Sequence, residues 1–524
     1  MIEKRPGGSL DEIRIFEDSR QREGEAPGLD ERTAADLDLD DVFRRIDQTA
    51  SAVGQQWLYS RLRRPARESS SAEAFDALVA DLSSPEGRPE VVRRTLSRLR
   101  GTNAYLLPFL LLGPLPERPG AWALAPLLTF VAAGLVAACL LAKTAGLVLA
   151  LVGICLVNIV VRLAYRKRIF PILHSLPALR VLVRTALALS QPEGGLPEGP
   201  RVRLASLAEP LRPLLRTTSW LVFETERTDE MSRMLYEYVN LVFLLDVDAF
   251  LFTLELLRRR RTAIRELFEA LGEIDGAMSV AAFRASLPGW CRPRFTPPGT
   301  PLRAEDAFHP LLPAPVPNGI SLHGSGALVT GSNMSGKTTF IKTIGLDALL
   351  GSTIFTCPAR SWEAPLFAVV SAIGRSESLA EGTSYYLGEV LRVRDLVRAA
   401  EDEPPRLFLL DELFRGTNTI ERIAAGKAVL AHLARGPHVA LVSTHDIELV
   451  PLLTESHAPY HFREEVSDGA LVFDYRLRPG PSSTRNAIAL LASAGFPESL
   501  LEDALRTVDA LERDGAGRRP GPEN

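Results

Sequence analysis

Cysteine is scarce. The 524 residues hold four, Cys139, Cys155, Cys291 and Cys357, and none are spaced as C-x-x-C. A disulfide framework and a zinc site are therefore not indicated, and a chain facing a reducing compartment fits. A basic excess is also missing: 60 Lys and Arg stand against 64 Asp and Glu, for a net charge of −4. That excludes the global signature of a nucleic-acid coat and leaves room only for a local basic face. The first twenty residues, MIEKRPGGSLDEIRIFEDSR, carry no apolar run, so the expectation is no secretory signal. No internal repeat is visible. In one place charge itself is nearly absent: residues 127–161 carry only Lys143.

The charge-free stretches on either side of Lys143 are 119–142 and 144–161. A spanning helix needs about 20 apolar residues, with a range of roughly 17–25. Both stretches qualify, the second narrowly, so residues 119–161 are expected to form a two-helix transmembrane hairpin with Lys143 and Thr144 at the turn. Arg93, Arg94, Arg98 and Arg100 precede it, and Arg162, Arg166, Lys167 and Arg168 come after it. That bias predicts a multi-pass protein of the inner (cytoplasmic) membrane with both soluble parts cytoplasmic. Trp122 and Tyr165 are candidates for the interface. The competing reading is a helical hairpin buried in a large soluble core. Residues 239–257 look similar but hold Asp246 and Asp248, each costing about 2.5–3.5 kcal/mol at a bilayer centre, and are read as a long soluble helix.

Outside the hairpin, texture divides the chain. Residues 1–30 are polar. Residues 37–65 have helical spacing (Val42, Phe43, Ile46, Val53, Trp57, Leu58, Leu62) closed by Pro65. Helix is expected again from 168 to 190, a loop at 191–200, and long amphipathic helices from 205 to 287. Arg258–261 lie there as a run that either meets phosphate or forms a solvated helix face. The proline-rich residues 292–319 mark a domain boundary. Beyond it, short β-branched runs alternate with helices, the pattern of a parallel sheet covered on both faces.

Three strand ends carry chemistry. GSNMSGKT, 331–338, fits G-x-x-x-x-G-K-[ST] between an apolar strand and a helix. The backbone N–H groups of Gly331, Ser332, Asn333, Met334, Ser335 and Gly336 would curl round an anion at a helix N-terminus, beside Thr339. Lys337 would reach the β- and γ-phosphates of ATP, and the Thr338 hydroxyl would bind Mg²⁺. RLFLLDE, 406–412, puts two carboxylates after a buried strand. Asp411 is the expected Mg²⁺ partner and Glu412 the expected base for the attacking water. VALVSTHD, 439–446, ends another apolar strand, where His445 would sense the γ-phosphate.

These elements resemble the MutS family, a branch of the ABC-type ATPases. TGSNMSGKTT matches its phosphate loop, with Asn333-Met334 as a hallmark. DELFRGTNTIERIAAGKAVLAHL matches its Walker B segment with the loop and helix after it, and GTSYYLGEV its signature, through Ser384 and Glu389. Residues 475–497, GEIDGAMSVA, CRPRF and residues 37–65 resemble further parts of the domain and of the helical lever region.

The resemblance implies an α/β ATPase domain with a parallel-rich sheet at 296–510 and an all-α lever region at 31–118 and 162–295. The hairpin interrupts that lever region, and 511–524 is expected to be a disordered tail. It implies a homodimer through the ATPase domain, with Ser384 acting on the nucleotide of the other subunit. It also implies DNA as a ligand in mismatch repair.

Departures weigh on the last point. The expectation is a chain without the family's Phe-x-Glu mismatch reader, its connector or a basic nuclease domain. Tyr385-Tyr386 and STRNAI also replace the usual motifs. The sequence thus leaves a tethered, DNA-linked ATPase and a membrane-remodelling or signalling ATPase without DNA side by side. It disfavours a transporter, since the spans lack ionisable residues and an LSGGQ-type signature is absent.

Overall fold

The computed structural model describes residues 7–84, 87–115, 124–217, 230–322, 324–332, 334–373, 385–401, 404–467, 470–481, 491 and 495–516. The chain divides into two compact units. One takes Met1–Gly28, Ile46–Arg64 and Ala74–Ser286; the other takes Leu29–Arg45, Pro65–Glu73 and Leu287–Asn524.

The first unit is helical, and Leu245–Ser286 (42 residues) is one of its long elements. Helix Ala52–Arg63 packs along it. Glycine permits the approach from both sides. A Cβ at Gly272 would lie 2.4 Å from that of Trp57, and one at Gly54 would lie 2.1 Å from the Asp275 carboxylate. The spacing of 37–65 predicts one helix, but the structure breaks it between Ile46 and Ala52. Side chains there outcompete the helical ladder. Asp275 accepts from the N–H groups of Ala50 and Ser51, each at 2.8 Å. Ser279 Oγ accepts from Gln48 N at 2.7 Å and donates to the Ile46 carbonyl at 2.8 Å. Burial pushes the Asp275 carboxyl up to about 6 against these donors.

The apolar stretch also differs from expectation. Leu124–Ala142 is a 19-residue helix and, among the described residues, the one helix long and apolar enough to cross a membrane. The second arm is not a separate span. Ala145–Val161 is the apolar start of a 45-residue helix, Ala145–Leu189, reached through a turn at Lys143 with φ +48°. Residues 116–123, Trp122 among them, lie outside the described residues, as does the side chain of Tyr165. The arms are not wrapped as a buried core: Phe130 is 76% exposed, Leu149 77% and Leu141 87%. Residues 239–257 are not one helix either. Helix Glu230–Phe243 stops at Leu244, φ +48°, before Leu245–Ser286 begins. The hairpin caps that break: Asn158 Nδ2 donates to Val242 O at 2.8 Å and Thr129 Oγ1 donates to Phe243 O at 2.6 Å. Of the arginine run, Arg261 is structural, donating to the carbonyls of Leu111 and Gly113, while Arg259 pairs with Glu255 on an exposed face.

The second unit holds ten strands among the described residues: β1 (Arg294–Thr296), β2 (Arg303–Ala307), β3 (Asn318–Ser321), β4 (Gly326–Thr330), β5 (Ser361–Pro365), β6 (Ala368–Ala372), β7 (Arg406–Asp411), β8 (Val439–Ser443), β9 (His457–Ser467) and β10 (Ala470–Pro479). A four-stranded sheet runs β1-β5-β2-β3 and a six-stranded one β10-β9-β4-β8-β7-β6. The larger sheet is parallel from β9 to β6, as its unbroken apolar runs predict. Phe408, Leu410, Ala440 and Val442 pack with Leu430 and Leu433 of helix Thr419–Leu433. Residues 29–45 join this unit through helix Glu31–Asp36. Its Asp36 carboxylate accepts from Ser371 Oγ, from Ile373 N at 3.0 Å and from Arg392.

Asp275→Ala is expected to lower the stability of the first unit by about 2–4 kcal/mol, because two buried N–H groups lose their acceptor. Chemical denaturation of the full chain measures this, and an unchanged midpoint would contradict the role given to Asp275.

Candidate functional site

Strand register sets the site. Val329 of β4 lies opposite Ser443 of β8, and Ser443 lies opposite Asp411 of β7. Three parallel strands therefore end together at the carboxyl edge of the sheet, where open α/β sheets place ligands.

The loop after β4 turns through positive φ at Gly331 (142°), Met334 (70°) and Gly336 (102°). A Cβ at Gly331 would stand 3.0 Å from Phe462 O and from Ser335 Oγ, so the fold admits only glycine there. Gly336 caps the 18-residue helix Lys337–Ile354, whose free N–H groups face the loop. Lys337 is buried. Its Nζ donates to the carbonyls of Gly331 and Ser332 at 2.8 Å each and lies 3.4 Å from His445 Nε2. Burial pushes its pKa down, while the charges of Glu412 and Asp411 oppose the shift.

Thr338 Oγ1 donates to Asp411 Oδ2 at 3.1 Å, and Asp411 Oδ1 is buried without a partner. An orphaned carboxylate oxygen beside a hydroxyl suits a hard divalent cation. Among the described residues no cluster of three or more His, Cys, Asp or Glu side chains could hold a metal. An ion here would thus share its shell with water and phosphate, as Mg²⁺ does.

Glu412 comes directly after β7 in a left-handed conformation, φ +52°, with its N–H on Ser443 O at 2.8 Å. His445 Nε2 is 3.0 Å from its Oε1, and Arg415 pairs with its Oε2. Burial raises the carboxyl, but the His445 hydrogen bond and the Arg415 charge outweigh it, holding Glu412 below the usual carboxylate range. At neutral pH it is an anion that orients a donor better than it abstracts a proton.

A cavity of about 430 Å³ opens from this edge. Lys337, Thr338 and Glu412 line one part, and Phe308, Val316 and Tyr475 another. Asn318 of β3 also lines the cavity. Asn318 Nδ2 donates to Tyr475 O at 2.9 Å, and its Oδ1 accepts from Leu477 N at 2.7 Å, tying β3 to β10.

Residues 327–512 match the family described as MutS domain V. Similar curated proteins include the DNA mismatch repair protein MutS from two strains of Thermus thermophilus, each 33% identical over 298 residues, and that of Thermus aquaticus, 32% identical over the same length. In each case the alignment covers 56% of this chain and 35% of the relative, so the chain spans about a third of the length of the curated relatives it matches. The MutS domain V match covers β4, β7, β8 and the loops after them, and the mixed sheet with its covering helices fits that domain.

Of the residues named from the sequence, Gly331, Ser332, Met334, Ser335, Gly336, Lys337, Thr338, Thr339, Asp411, Glu412 and His445 gather at this one edge. Asn333 and Ser384 lie outside the described residues. Sequence reasoning missed two groups: Arg415, which pairs with Glu412, and Glu464 of β9, which accepts from Ser332 Oγ. Glu389, matched from the signature, accepts from Arg415 N at 3.2 Å. Arg415 sits three residues after Glu412, a helical-turn spacing that could have flagged it.

Gly331→Ala is expected to weaken nucleotide binding at least tenfold without unfolding the chain. Titration with a fluorescent ATP analogue beside circular dichroism checks this, and unchanged affinity would remove the loop from the site.

Proposed function

We propose that this chain is a MutS-type nucleotide switch that binds and hydrolyses ATP with Mg²⁺, pairs with a second copy through its sheet unit, and is tethered to a membrane by residues 124–161. The convergence of Lys337, the Thr338–Asp411 pair and the Glu412–His445 pair on one sheet edge carries the reading.

Lys337 places its charge at the β- and γ-phosphates, inside a loop whose N–H groups face the anion. Thr338 and Asp411 would hold Mg²⁺, which neutralises phosphate charge when bound. Glu412 orients the attacking water, and His445, bonded to Glu412 and next to Lys337, reports on the γ-phosphate. Ser384, by the family resemblance, completes the partner's site. ATP can drive such a device only by the difference in its affinity for the closed and open pairs.

The membrane tether is supported by the apolar length of Leu124–Ala142 and the exposure of Phe130, Leu141 and Leu149. A place at the inner (cytoplasmic) membrane rests on the flanking arginines alone. Two readings of the target stand. The names of the relatives favour DNA. Arg261 is engaged within its own unit and the net charge is −4, and these favour a remodelling or signalling ATPase without DNA.

Glu412→Gln is expected to bind ATP, turn over at least 100-fold more slowly and accumulate as a dimer by light scattering; ordinary turnover would contradict the role of Glu412. Full-length protein is expected to float with liposomes while a variant lacking 124–161 does not. Turnover measured with duplex DNA and with liposomes separates the two targets. Stimulation by DNA that falls steeply with salt selects the first, and stimulation by lipid alone selects the second.

A further inference from the structure

Away from the nucleotide cavity, the second unit brings Cys291 and Cys357 face to face. Cys291 precedes β1, and Cys357 lies between helix Lys337–Ile354 and β5. Their backbones form an isolated antiparallel bridge, each N–H donating to the other's carbonyl at 2.9 Å. A hydrogen-bonded antiparallel pair holds its Cα atoms about 5.5 Å apart, within the roughly 4.4–6.8 Å that a disulfide spans. Both thiols are free. Cys357 is buried and Cys291 half-buried, so Cys291 is the more accessible of the two.

The surroundings are not those of two thiols merely filling a core. Cys357 Sγ donates to the Asp347 backbone carbonyl at 3.3 Å. The Asp347 side chain is fully buried, and neither carboxylate oxygen has a partner. An unpaired buried carboxyl costs free energy that a packing role does not explain. It lies close enough to both cysteines for charge on Cys291 to push it up and for its own charge to push up Cys357. Burial pushes its carboxyl well above the usual carboxylate range. The neighbouring Cys357 side chain lowers the pKa of Cys291, and burial raises that of Cys357. Cys291 therefore ionises first and is the nucleophile.

We propose that Cys291 and Cys357 are a reversible redox site, a dithiol closed to a disulfide by exchange with a low-molecular-weight disulfide such as oxidised glutathione. The Cys291 thiolate attacks one sulfur of the small disulfide. A mixed disulfide forms at Cys291, and the first small thiol leaves carrying the Cys291 proton. The Cys357 sulfur then attacks Sγ of Cys291, the protein disulfide forms, and the second small thiol departs with the Cys357 proton. Two protein thiols are oxidised and one small disulfide is reduced to two thiols. The ring so closed contains the phosphate loop and the whole of helix Lys337–Ile354.

Exposure of the purified full-length chain to graded mixtures of reduced and oxidised glutathione, then acid quenching, alkylation and peptide mapping, tests this. The expected result is a link between the peptides holding Cys291 and Cys357, reversed by dithiothreitol, with no glutathione remaining on Cys291. Cys357→Ser is expected to leave Cys291 as a stable glutathione adduct, and Cys291→Ser to leave Cys357 unmodified until the chain is denatured. A wild-type chain that keeps glutathione on Cys291 without forming the link would overturn the proposal. So would links running instead to Cys139 or Cys155, or two thiols that stay unmodified in the native chain.

Discussion

The candidate site depends on the register of β4, β8 and β7. All five residues of β4 and all five of β8 are buried, as are the four central residues of β7. Because both faces of these strands are covered, packing rather than loop conformation fixes where each ends. The three ends are thereby locked level, and the residues just beyond them, Gly331, Glu412 and Thr444, begin at one edge. Sparsely populated backbone conformations cluster there, at Met334, Glu412 and Phe414 as well as the loop glycines. Such strain persists only where its surroundings over-determine it, and a rigid parallel ladder is a surrounding of that kind.

The features readable in the sequence were local. The phosphate loop, the β7 carboxylates and the β8 histidine each announce themselves within about eight residues, through an apolar strand and the groups at its end. The alternation of strands and helices likewise pointed to the parallel sheet. The features that escaped depend on long-range partners. Glu464 reaches Ser332 only because β9 pairs with β4. The return of residues 29–45 to the sheet unit rests on Asp36 meeting Ser371 and Arg392. The break after Ile46 comes from Asp275 and Ser279, more than 220 residues away in sequence. No periodicity within 37–65 could register those competitors.

The apolar hairpin shows the same dependence. Apolar composition predicted two spanning arms, yet nothing in composition could tell that the second continues into a 45-residue helix. Nor could it tell that Thr129 and Asn158, the polar exceptions of the two arms, serve backbone carbonyls elsewhere. Those carbonyls, of Val242 and Phe243, are released by the break at Leu244. A released carbonyl in apolar surroundings costs roughly as much as a lost hydrogen bond. Thr129 Oγ1 also lies 2.7 Å from Asp248 Oδ2. The carboxylate that argued for a single soluble helix at 239–257 is therefore part of the polar contact set that accompanies the break.

The Glu412 carboxylate brings the electrostatics of the site to one point. It faces Lys337 through charge, His445 through a hydrogen bond and Arg415 through an ion pair. A carboxylate so surrounded has little proton affinity, so the rate of any hydrolysis here must come from orientation and charge placement rather than from strong base catalysis. Arg415 and Lys337 both line the cavity, and a γ-phosphate placed there would meet the cations that now neutralise Glu412. Anion binding at this edge would thus be coupled to the freedom of the Glu412 carboxylate through shared partners. The strength of that coupling is set by the distances fixed at the strand ends, not by any property of Glu412 alone.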